Sequence, residues 1–273
     1  MKLCRFEAGD GPRPGIVEDG YLVHRDNPAE RHALEDIRLL APVQPRKFLA
    51  IGLNYADHIA ESGMDAPRFP VFFNKQVTCV VGPGEDVHMP RVSSLLDYEG
   101  ELAVVIAKRC RHVSVEHAHE VIAGYTITND LSVRDWQLRT PTMTMGKSFD
   151  THGPLGPWIV TQNELGDPHD LQIRTYVNEE LRQDGNTREM IYDCYQQVAH
   201  LSEAFTLEPG DVIATGTPAG IGAVRQPFPE GLLKAGDVVR VEIEGIGELR
   251  NIVVQEPDCY LAPETEPEFA WAR

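Results

Sequence analysis

The segment DYEGELAVVI, residues 97–106, carries the strongest fold signal in the chain. Residues 102–107 are apolar at every position, which is typical of a strand buried on both faces. Glu99 and Glu101 enter this strand at alternate positions, so both side chains project to one side, with Cβ atoms roughly 7 Å apart. Two like charges then share one pocket, where a hard divalent cation would stabilise both as carboxylates.

A third oxygen donor follows the next predicted strand. Asp130 lies just after the apolar stretch 123–128 and completes a candidate metal site with Glu99 and Glu101. All-oxygen ligands favour Mg²⁺, Mn²⁺ or Ca²⁺ over zinc, and the choice among these three stays open. The alternative is that the two glutamates form the solvated face of an edge strand. The apolar run that follows them argues against this alternative, because charges that enter a buried strand need partners.

Strand signals outnumber helix signals along the rest of the chain. Short alternating strands occupy residues 1–40, and further strands are predicted at 48–53, 102–107, 123–128, 158–161, 171–177, 211–215 and 238–244. Helices are predicted at 55–62, 115–121 and 195–205. No strand–helix alternation runs long enough for a doubly wound sheet. We therefore predict an α+β fold with a mixed, β-dominated core.

The distribution of proline predicts three segments. Pro42 and Pro45 separate a small strand-rich N-terminal segment, residues 1–43, from a catalytic domain, residues 44–257. The remaining residues, 258–273, are rich in proline and acidic residues and are predicted to form a loose acidic tail.

The segment GLNYADHIAESG, residues 52–63, predicts a short helix that carries a second candidate site. Asn54 is a favourable N-cap, and Gly63 can end the helix. His58 and Glu61 lie three residues apart on one helical face. A carboxylate beside an imidazole holds its orientation and raises its basicity, as a general base requires. A surface ion pair is the alternative interpretation.

Composition excludes several classes of partner. The chain has 25 Lys and Arg against 42 Asp and Glu, a formal net charge of −17. This charge repels phosphate backbones and anionic lipids, so we expect no nucleic acid and no membrane partner. Five cysteines without a C-x-x-C pair indicate thiols in a reducing compartment. With no apolar leader or span, a cytoplasmic protein is expected.

Four segments in order along the chain resemble the fumarylacetoacetate hydrolase family, over about residues 45–255. They are GLNYADH (52–58), DYEGELAVVI (97–106), MGKSFD (145–150) and GDVIATGTPAGIG (210–222). The resemblance implies the mixed β-roll of this family's C-terminal domain, in a homodimer, with Mg²⁺ or a similar ion held by Glu99, Glu101 and Asp130.

The resemblance also implies roles for five further residues. His58 and Glu61 match the dyad that activates water, and Lys147 matches the lysine beside the reacting oxygen. Gln137 matches a substrate-facing amide, and Thr217 matches a loop threonine near the substrate carboxylate. Without the resemblance, Gln137 and Lys147 would read as surface polar groups and residues 215–222 as a tight glycine-rich turn.

The expected reaction follows from this set of residues. We expect a metal-dependent hydrolase of carbon–carbon bonds in ketonic substances that cleaves a small anionic oxo-acid, an acylpyruvate-like 2,4-dioxo acid, in aromatic or sugar-acid catabolism. The short N-terminal segment resembles minimal bacterial members and argues against fumarylacetoacetate itself as the substrate. An oxaloacetate decarboxylase or tautomerase, or a hydroxymuconate-type isomerase, is the alternative on the same metal site. A non-catalytic metal-binding protein is a more remote alternative.

Overall fold

The fold is dominated by strands, as the sequence predicts. The computed structural model describes residues 1–9 and 11–258, so the predicted tail at 258–273 lies outside the described residues apart from Asp258. The strands of the described part are β1 (Lys2–Ala8), β2 (Gly11–Glu18), β3 (Tyr21–His24), β4 (Arg31–Ala33), β5 (Leu39–Leu40), β6 (Phe48–Gly52), β7 (Val71–Lys75), β8 (Val80–Val81), β9 (Asp86–Met89), β10 (Leu96–Asp97), β11 (Gly100–Ile106), β12 (Ile122–Asn129), β13 (Ser132–Val133), β14 (Gly153–Thr161), β15 (Gln172–Val177), β16 (Glu180–Asn186), β17 (Val212–Ala214), β18 (Val238–Ile243) and β19 (Gly247–Gln255).

These strands form two large sheets and one small one. The main path of the largest sheet runs β4-β3-β2-β1-β14-β12-β11-β17-β6-β7, with β5 beside β1 and β8 beside β14. The second sheet has the order β16-β15-β18-β19-β9, and β10 pairs with β13. Most neighbours are antiparallel, but three pairs run parallel: β17 with β6, β19 with β9, and β14 with β8. The predicted α+β class with a mixed, β-dominated core is therefore confirmed.

The N-terminal strands extend the largest sheet. Lys2 and Leu3 of β1 pair with Val160 and Ile159 of β14, in antiparallel register. The predicted boundary near residue 43 thus separates two stretches of chain that share one sheet.

Strand β11 lies in the interior of the largest sheet, between β12 and β17. Each of its seven residues is buried. Leu102, Val104 and Ile106 pack into one core cluster, while Ala103 and Val105 pack into another on the opposite face. Burying a large aliphatic side chain stabilises the fold by about 1.5–3 kcal/mol, so this strand is anchored from both sides.

The helices are short and few. They are α1 (Ala56–Ser62), α2 (Arg134–Gln137), α3 (Gln162–Leu165) and α4 (Cys194–Ala204), with 3₁₀ helices at Leu34–Asp36, Val77–Cys79, Val115–Val121, Thr144–Lys147, Thr187–Glu189 and Gly222–Val224. Asp193 and Gln196 form a reciprocal capping box at the start of α4. None of the helices in the described part of the chain is long and apolar enough to cross a bilayer.

The predicted helix at 115–121 is present with these bounds as a 3₁₀ helix. One detail of the helix prediction is wrong. Asn54 does not cap α1, because its amide donates to the carbonyl oxygens of Tyr192 and Thr215 at 3.0 and 2.7 Å. Tyr55 occupies the N-cap position without a side-chain bond, whereas Gly63 ends the helix in the left-handed region, as predicted.

Gly100 lies between the two glutamates at the start of β11, where its backbone is held on both sides. Its N–H donates to Gln183 Oε1 at 3.0 Å, and its carbonyl oxygen accepts from Thr217 Oγ1 at 2.9 Å. A Cβ atom at this position would lie 2.1 Å from Thr175 Oγ1. Only glycine therefore fits between Glu99 and Glu101 in this strand.

We expect Gly100→Ala to destabilise the protein by about 1–3 kcal/mol, the usual cost of overpacking, and to weaken divalent-cation binding because it displaces the adjacent glutamates. Urea unfolding and calorimetric titration would measure the two effects. Adding Thr175→Ala removes the clashing Oγ1, which has no hydrogen-bond partner, and should recover part of both losses. Thr175→Ala alone is the control, and a double variant no better than Gly100→Ala would contradict this packing account.

Candidate active site

Three carboxylates converge at the buried end of two neighbouring strands. Glu99 and Glu101 flank Gly100 at the start of β11, and Asp130 follows the end of β12. Each of the three offers an oxygen within 4.8 Å of the other two, and all three side chains are buried. The structure thus brings together the three residues for which the sequence predicts metal ligation.

Two buried lysines accompany the carboxylates. Lys147 Nζ donates to Glu99 Oε2 at 2.7 Å and to Asp130 Oδ2 at 2.8 Å. Lys75 Nζ donates to Asp130 Oδ1 at 2.5 Å and to the backbone carbonyl oxygens of Lys147 and His152. Sequence reasoning missed Lys75, which ends the edge strand β7. Its only signal was a charged residue after the apolar run 71–73.

The three carboxylates are not equivalent electrostatically. Burial alone would raise the pKa of Glu99, but the cations of Lys147 and Arg134 outweigh it and lower that pKa to about 2. Burial, reinforced by the charges of Asp130 and Glu99, raises the pKa of Glu101 well above its usual value. Among the described residues no cationic side chain forms an ion pair with Glu101, whose Oε2 accepts only the Gly216 N–H at 2.8 Å.

An arginine network, largely shielded from solvent, also escaped sequence reasoning. Arg134 binds Asp97 through Nε and Nη2 at 2.9 and 2.7 Å, and binds Glu99 Oε1 through Nη1 at 2.7 Å. The same Nη1 donates to Gln137 Oε1 at 2.9 Å. Because the Gln137 oxygen accepts from Arg134, its NH₂ group is directed elsewhere, toward Met143 Sδ at 3.8 Å. Asp97 and Arg134 lie inside the quoted motifs, but nothing in their local patterns indicates that they pair.

The predicted dyad is largely buried and does not lie on an open surface. His58 Nδ1 contacts Glu61 Oε1 at 2.8 Å, and the two side chains are only 11% and 20% exposed. Glu61 Oε2 also accepts the Gly220 N–H at 2.9 Å. With Nδ1 donating to Glu61, His58 Nε2 retains a lone pair that can accept a proton.

Thr217 lies on the glycine-rich loop that faces α1. Its Oγ1 donates to the Gly100 carbonyl oxygen at 2.9 Å and accepts from Gln183 Nε2 at 2.8 Å. The hydroxyl is thus engaged with the protein itself, and its visible effect is to hold the Gly100 backbone between the two glutamates.

One cavity of about 90 Å³ is lined by members of each of these groups. Its polar lining consists of His58, Glu99, Glu101, Arg134, Gln137, Lys147 and Thr217. Ile51, Leu53, Val71, Phe73 and Met143 line the rest of it together with Gly52. A larger surface groove of about 710 Å³, bounded by β15, β18 and β19, contains none of the predicted site residues.

The donor set fits a hard divalent cation. Carboxylate oxygens from three side chains, all buried and close together, match the preference of Mg²⁺ and Mn²⁺ for oxygen ligands. Glu101 is a buried carboxyl without a cationic partner, and a bound cation would supply the charge that its ionised form lacks.

Comparison with known proteins gives consistent matches. Residues 47–254 match the family model described as fumarylacetoacetate (FAA) hydrolase C-terminal, and residues 1–42 match one described as Rv2993c-like, N-terminal. A Burkholderia multivorans protein described as a hydrolase is 47% identical over 276 residues, which cover 91% of this chain and 97% of that protein.

Two solved structures extend the comparison. The 5-carboxymethyl-2-hydroxymuconate delta-isomerase of Mycobacterium smegmatis is 40% identical, with a TM-score of 0.84, and the match covers 94% of this chain and 100% of that one. The maleylpyruvate hydrolase of Sphingobium sp. SYK-6, in complex with manganese(II) and pyruvate, is 30% identical, with a TM-score of 0.78 and the same coverage.

We expect Glu101→Ala to weaken Mg²⁺ and Mn²⁺ binding by more than ~100-fold. Loss of a residue that only hydrogen-bonds to a metal ligand weakens binding by up to ~100-fold, and this variant removes an anionic ligand itself. Calorimetric titration is the measurement. Glu248→Ala removes the same charge from the exposed end of β19 and is the matched control. Unchanged affinity of Glu101→Ala for Mg²⁺ and Mn²⁺ would contradict the assignment of Glu101 as a metal ligand.

We also expect divalent-cation affinity to rise with pH. The raised pKa of Glu101 keeps this carboxyl protonated in the metal-free protein where an exposed glutamate is ionised, so a cation must displace a proton. Release of one proton raises the affinity by up to ~10-fold per pH unit. Titrations in Pipes and Tris, whose ionisation enthalpies differ, should give different heats, and Glu101→Gln should abolish the difference. Identical heats for the unmodified protein would contradict proton release.

Proposed function

The chain belongs to the fumarylacetoacetate hydrolase family, and from that premise we propose that it is a divalent-metal-dependent hydrolase that cleaves a carbon–carbon bond in an acylpyruvate-like 2,4-dioxo acid. The observation that carries the proposal is that His58, bound to Glu61, and the buried Lys147 line the same cavity as Glu99 and Glu101. Hydrolysis needs water activation as well as charge stabilisation, and this cavity offers residues for both.

Glu99, Glu101 and Asp130 would hold the ion, and we propose Mg²⁺ as its identity. When bound, the ion would supply positive charge that stabilises an enolate at the 2-oxo end of the substrate. Manganese in the related maleylpyruvate hydrolase supports a divalent ion in this family. Oxygen-only ligands are compatible with either metal.

In the proposed reaction His58, oriented by Glu61, removes a proton from water as the water oxygen attacks the C4 carbonyl carbon. The C3–C4 bond then breaks, and its electron pair passes to C3 as the enolate of a 2-oxo acid. His58 returns the proton, so the products are pyruvate, or a related 2-oxo acid, and a carboxylic acid. The atoms of substrate and water are conserved without a further reactant.

Lys147 and Gln137 are suited to stabilise the developing oxyanion. An ammonium group has three N–H donors, and Lys147 uses two of them on Glu99 and Asp130, which leaves one for a substrate oxygen. The Gln137 NH₂ contacts only Met143 Sδ at 3.8 Å, a weak acceptor that a substrate oxygen can replace. Thr217 is proposed to contribute to substrate binding as part of the cavity lining.

An isomerase is the second candidate, and the structural match to the Mycobacterium smegmatis delta-isomerase favours it. Isomerisation, tautomerisation and decarboxylation of oxaloacetate all use an enolate without attack by water. The water-activating geometry of His58 and Glu61 supports the hydrolase over these alternatives, and over a non-catalytic metal-binding protein. We further propose that residues 44–257 form the catalytic domain, because every site residue lies in that range, and that two copies associate as a homodimer.

We expect His58→Ala to retain divalent-cation binding but to lose acylpyruvate hydrolysis by ~10²–10⁴-fold, the usual contribution of a positioned general base. Glu61→Gln keeps the geometry but removes the charge that raises imidazole basicity, so its loss should be smaller. Assays with acetylpyruvate and oxaloacetate, alongside calorimetric titration of the ion, would measure this.

The two substrates separate the candidate reactions. If the enzyme acts by charge stabilisation alone, His58→Ala will retain most oxaloacetate turnover, and the unmodified enzyme will not hydrolyse acetylpyruvate. A Glu61→Gln enzyme with full hydrolytic rate and an unshifted pH profile would remove the water-activating role from the pair.

A further inference from the structure

Five side chains of the active-site cavity lining are apolar. Strands β6 and β7 are paired so that Gly52 lies opposite Val71. The apolar side chains from these strands, together with Leu53 and Met143, form a surface that we term the apolar wall. The apolar wall consists of Ile51, Leu53, Val71, Phe73 and Met143. None of these side chains can donate a hydrogen bond to a carboxylate.

The cations of the cavity are already paired with protein carboxylates. Arg134 binds Asp97 and Glu99, and Lys147 binds Glu99 and Asp130. Lys75 uses its three donors on Asp130 and on two backbone carbonyl groups. Each cation of the described lining is therefore already paired with a protein carboxylate, and the one remaining donor of Lys147 is the donor proposed above for the developing oxyanion.

The charge balance of the cavity leads to the same conclusion. The charged groups of the lining and their buried ion-pair partners are the cations Lys75, Arg134 and Lys147 and the carboxylates Asp97, Glu99, Glu101 and Asp130. Without the partly exposed His58–Glu61 dyad, these groups carry one net negative charge when all are ionised, and a divalent ion would change this to one net positive charge. One substrate carboxylate neutralises that charge, whereas two would leave an uncompensated anion beside apolar side chains. The net charge of −17 adds long-range repulsion against a dianion.

We propose that the substrate is a monocarboxylate whose distal substituent is uncharged and apolar and lies against the apolar wall. This inference rests on the proposed function, because it takes the 2-oxo acid end to be held at the carboxylate cluster. It distinguishes this chain from its structural relatives, whose names specify a carboxymethyl-hydroxymuconate and maleylpyruvate, compounds that carry more than one carboxylate. Val71, Phe73 and Met143 then act as specificity-determining residues.

Arg68 is the nearest sequence neighbour of the apolar wall that could reverse this specificity. It is exposed, lies three residues before Val71 and has its guanidinium 5.5 Å from the centroid of the Phe69 ring. It is not part of the cavity lining. Whether Arg68 can bind the second carboxylate of a substrate is therefore tested directly with a variant.

The decisive measurement is the binding of two inert compounds that differ only at the distal end. 2-Oxoglutarate and 5-methyl-2-oxohexanoate have the same shape, with a carboxylate in the first where the second has an isopropyl group. Calorimetric titration of the Mg²⁺-loaded protein should show at least ~100-fold tighter binding of 5-methyl-2-oxohexanoate, since an apolar site does not compensate a buried charge. Equal affinity, preference for 2-oxoglutarate, or no binding of 5-methyl-2-oxohexanoate would overturn the proposal.

Variants locate the effect in the apolar wall. Val71→Arg should shift the affinity ratio toward 2-oxoglutarate by at least ~10-fold, since it supplies the missing cation, whereas Val71→Leu should preserve the ratio. Met143→Arg serves in its place if Val71→Arg does not fold. Arg68→Ala should leave the ratio unchanged. An unmodified protein that prefers 2-oxoglutarate and loses this preference in Arg68→Ala would identify Arg68 as the cation and overturn the inference.

Turnover separates this inference from the proposed function. Hydrolysis of acetylpyruvate tests the reaction, and relative kcat/KM for 7-methyl-2,4-dioxooctanoate and its diacid counterpart, 2,4-dioxoheptanedioate, tests the distal end. If both are cleaved and the diacid is preferred, the hydrolase assignment holds and the apolar-substituent inference fails. If neither is cleaved but the binding preference persists, the reaction must be reassigned while the inference about the distal end stands.

Discussion

The rest of the structure depends on the burial of four carboxylates around one cavity. Asp97, Glu99, Glu101 and Asp130 are each at most 6% exposed, and the effective penalty for burying an unpaired ion is several kcal/mol. Cations compensate three of the four directly. Glu101 is the exception, because it has no cationic partner. The cluster therefore lacks one positive charge at the position where a divalent ion would bind.

Backbone N–H groups complete the compensation: the Tyr98 N–H donates to Asp97, and the others come from one stretch of chain. The loop after β17 donates from Gly216 to Glu101, from Gly220 to Glu61, and from Gly222 and Ala223 to Asp97. This loop therefore links the carboxylate cluster, the dyad and the arginine network. Its glycines matter at close approaches, as at Gly220, where φ is +105° and a Cβ would lie 2.1 Å from the Arg182 carbonyl oxygen.

The sequence predicts those residues of the site whose role can be recognised from the residues next to them in the chain. An apolar run preceded by E-G-E indicates both a central strand and two converging acids, and i,i+3 spacing indicates the His58–Glu61 contact. The sequence does not predict contacts between segments that are far apart in the chain. Lys75 reaches Asp130 across 55 residues, and Asn54 bonds to Tyr192 and Thr215 where its local pattern predicts an N-cap. Such tertiary hydrogen bonds override local preference because burial of an unpaired amide costs more than an N-cap contributes.

The two lysines illustrate why burial alone does not identify the group that can act on a substrate. Both are 2% exposed and both bind Asp130. Lys75 uses all three donors, one of them on the backbone carbonyl of Lys147, so it holds Asp130 and the chain that carries the second lysine. Lys147 retains one donor and lines the cavity. If Lys147 turns toward a substrate oxygen, Lys75 still pairs with Asp130. The Asp130 carboxylate is therefore not left without a cation.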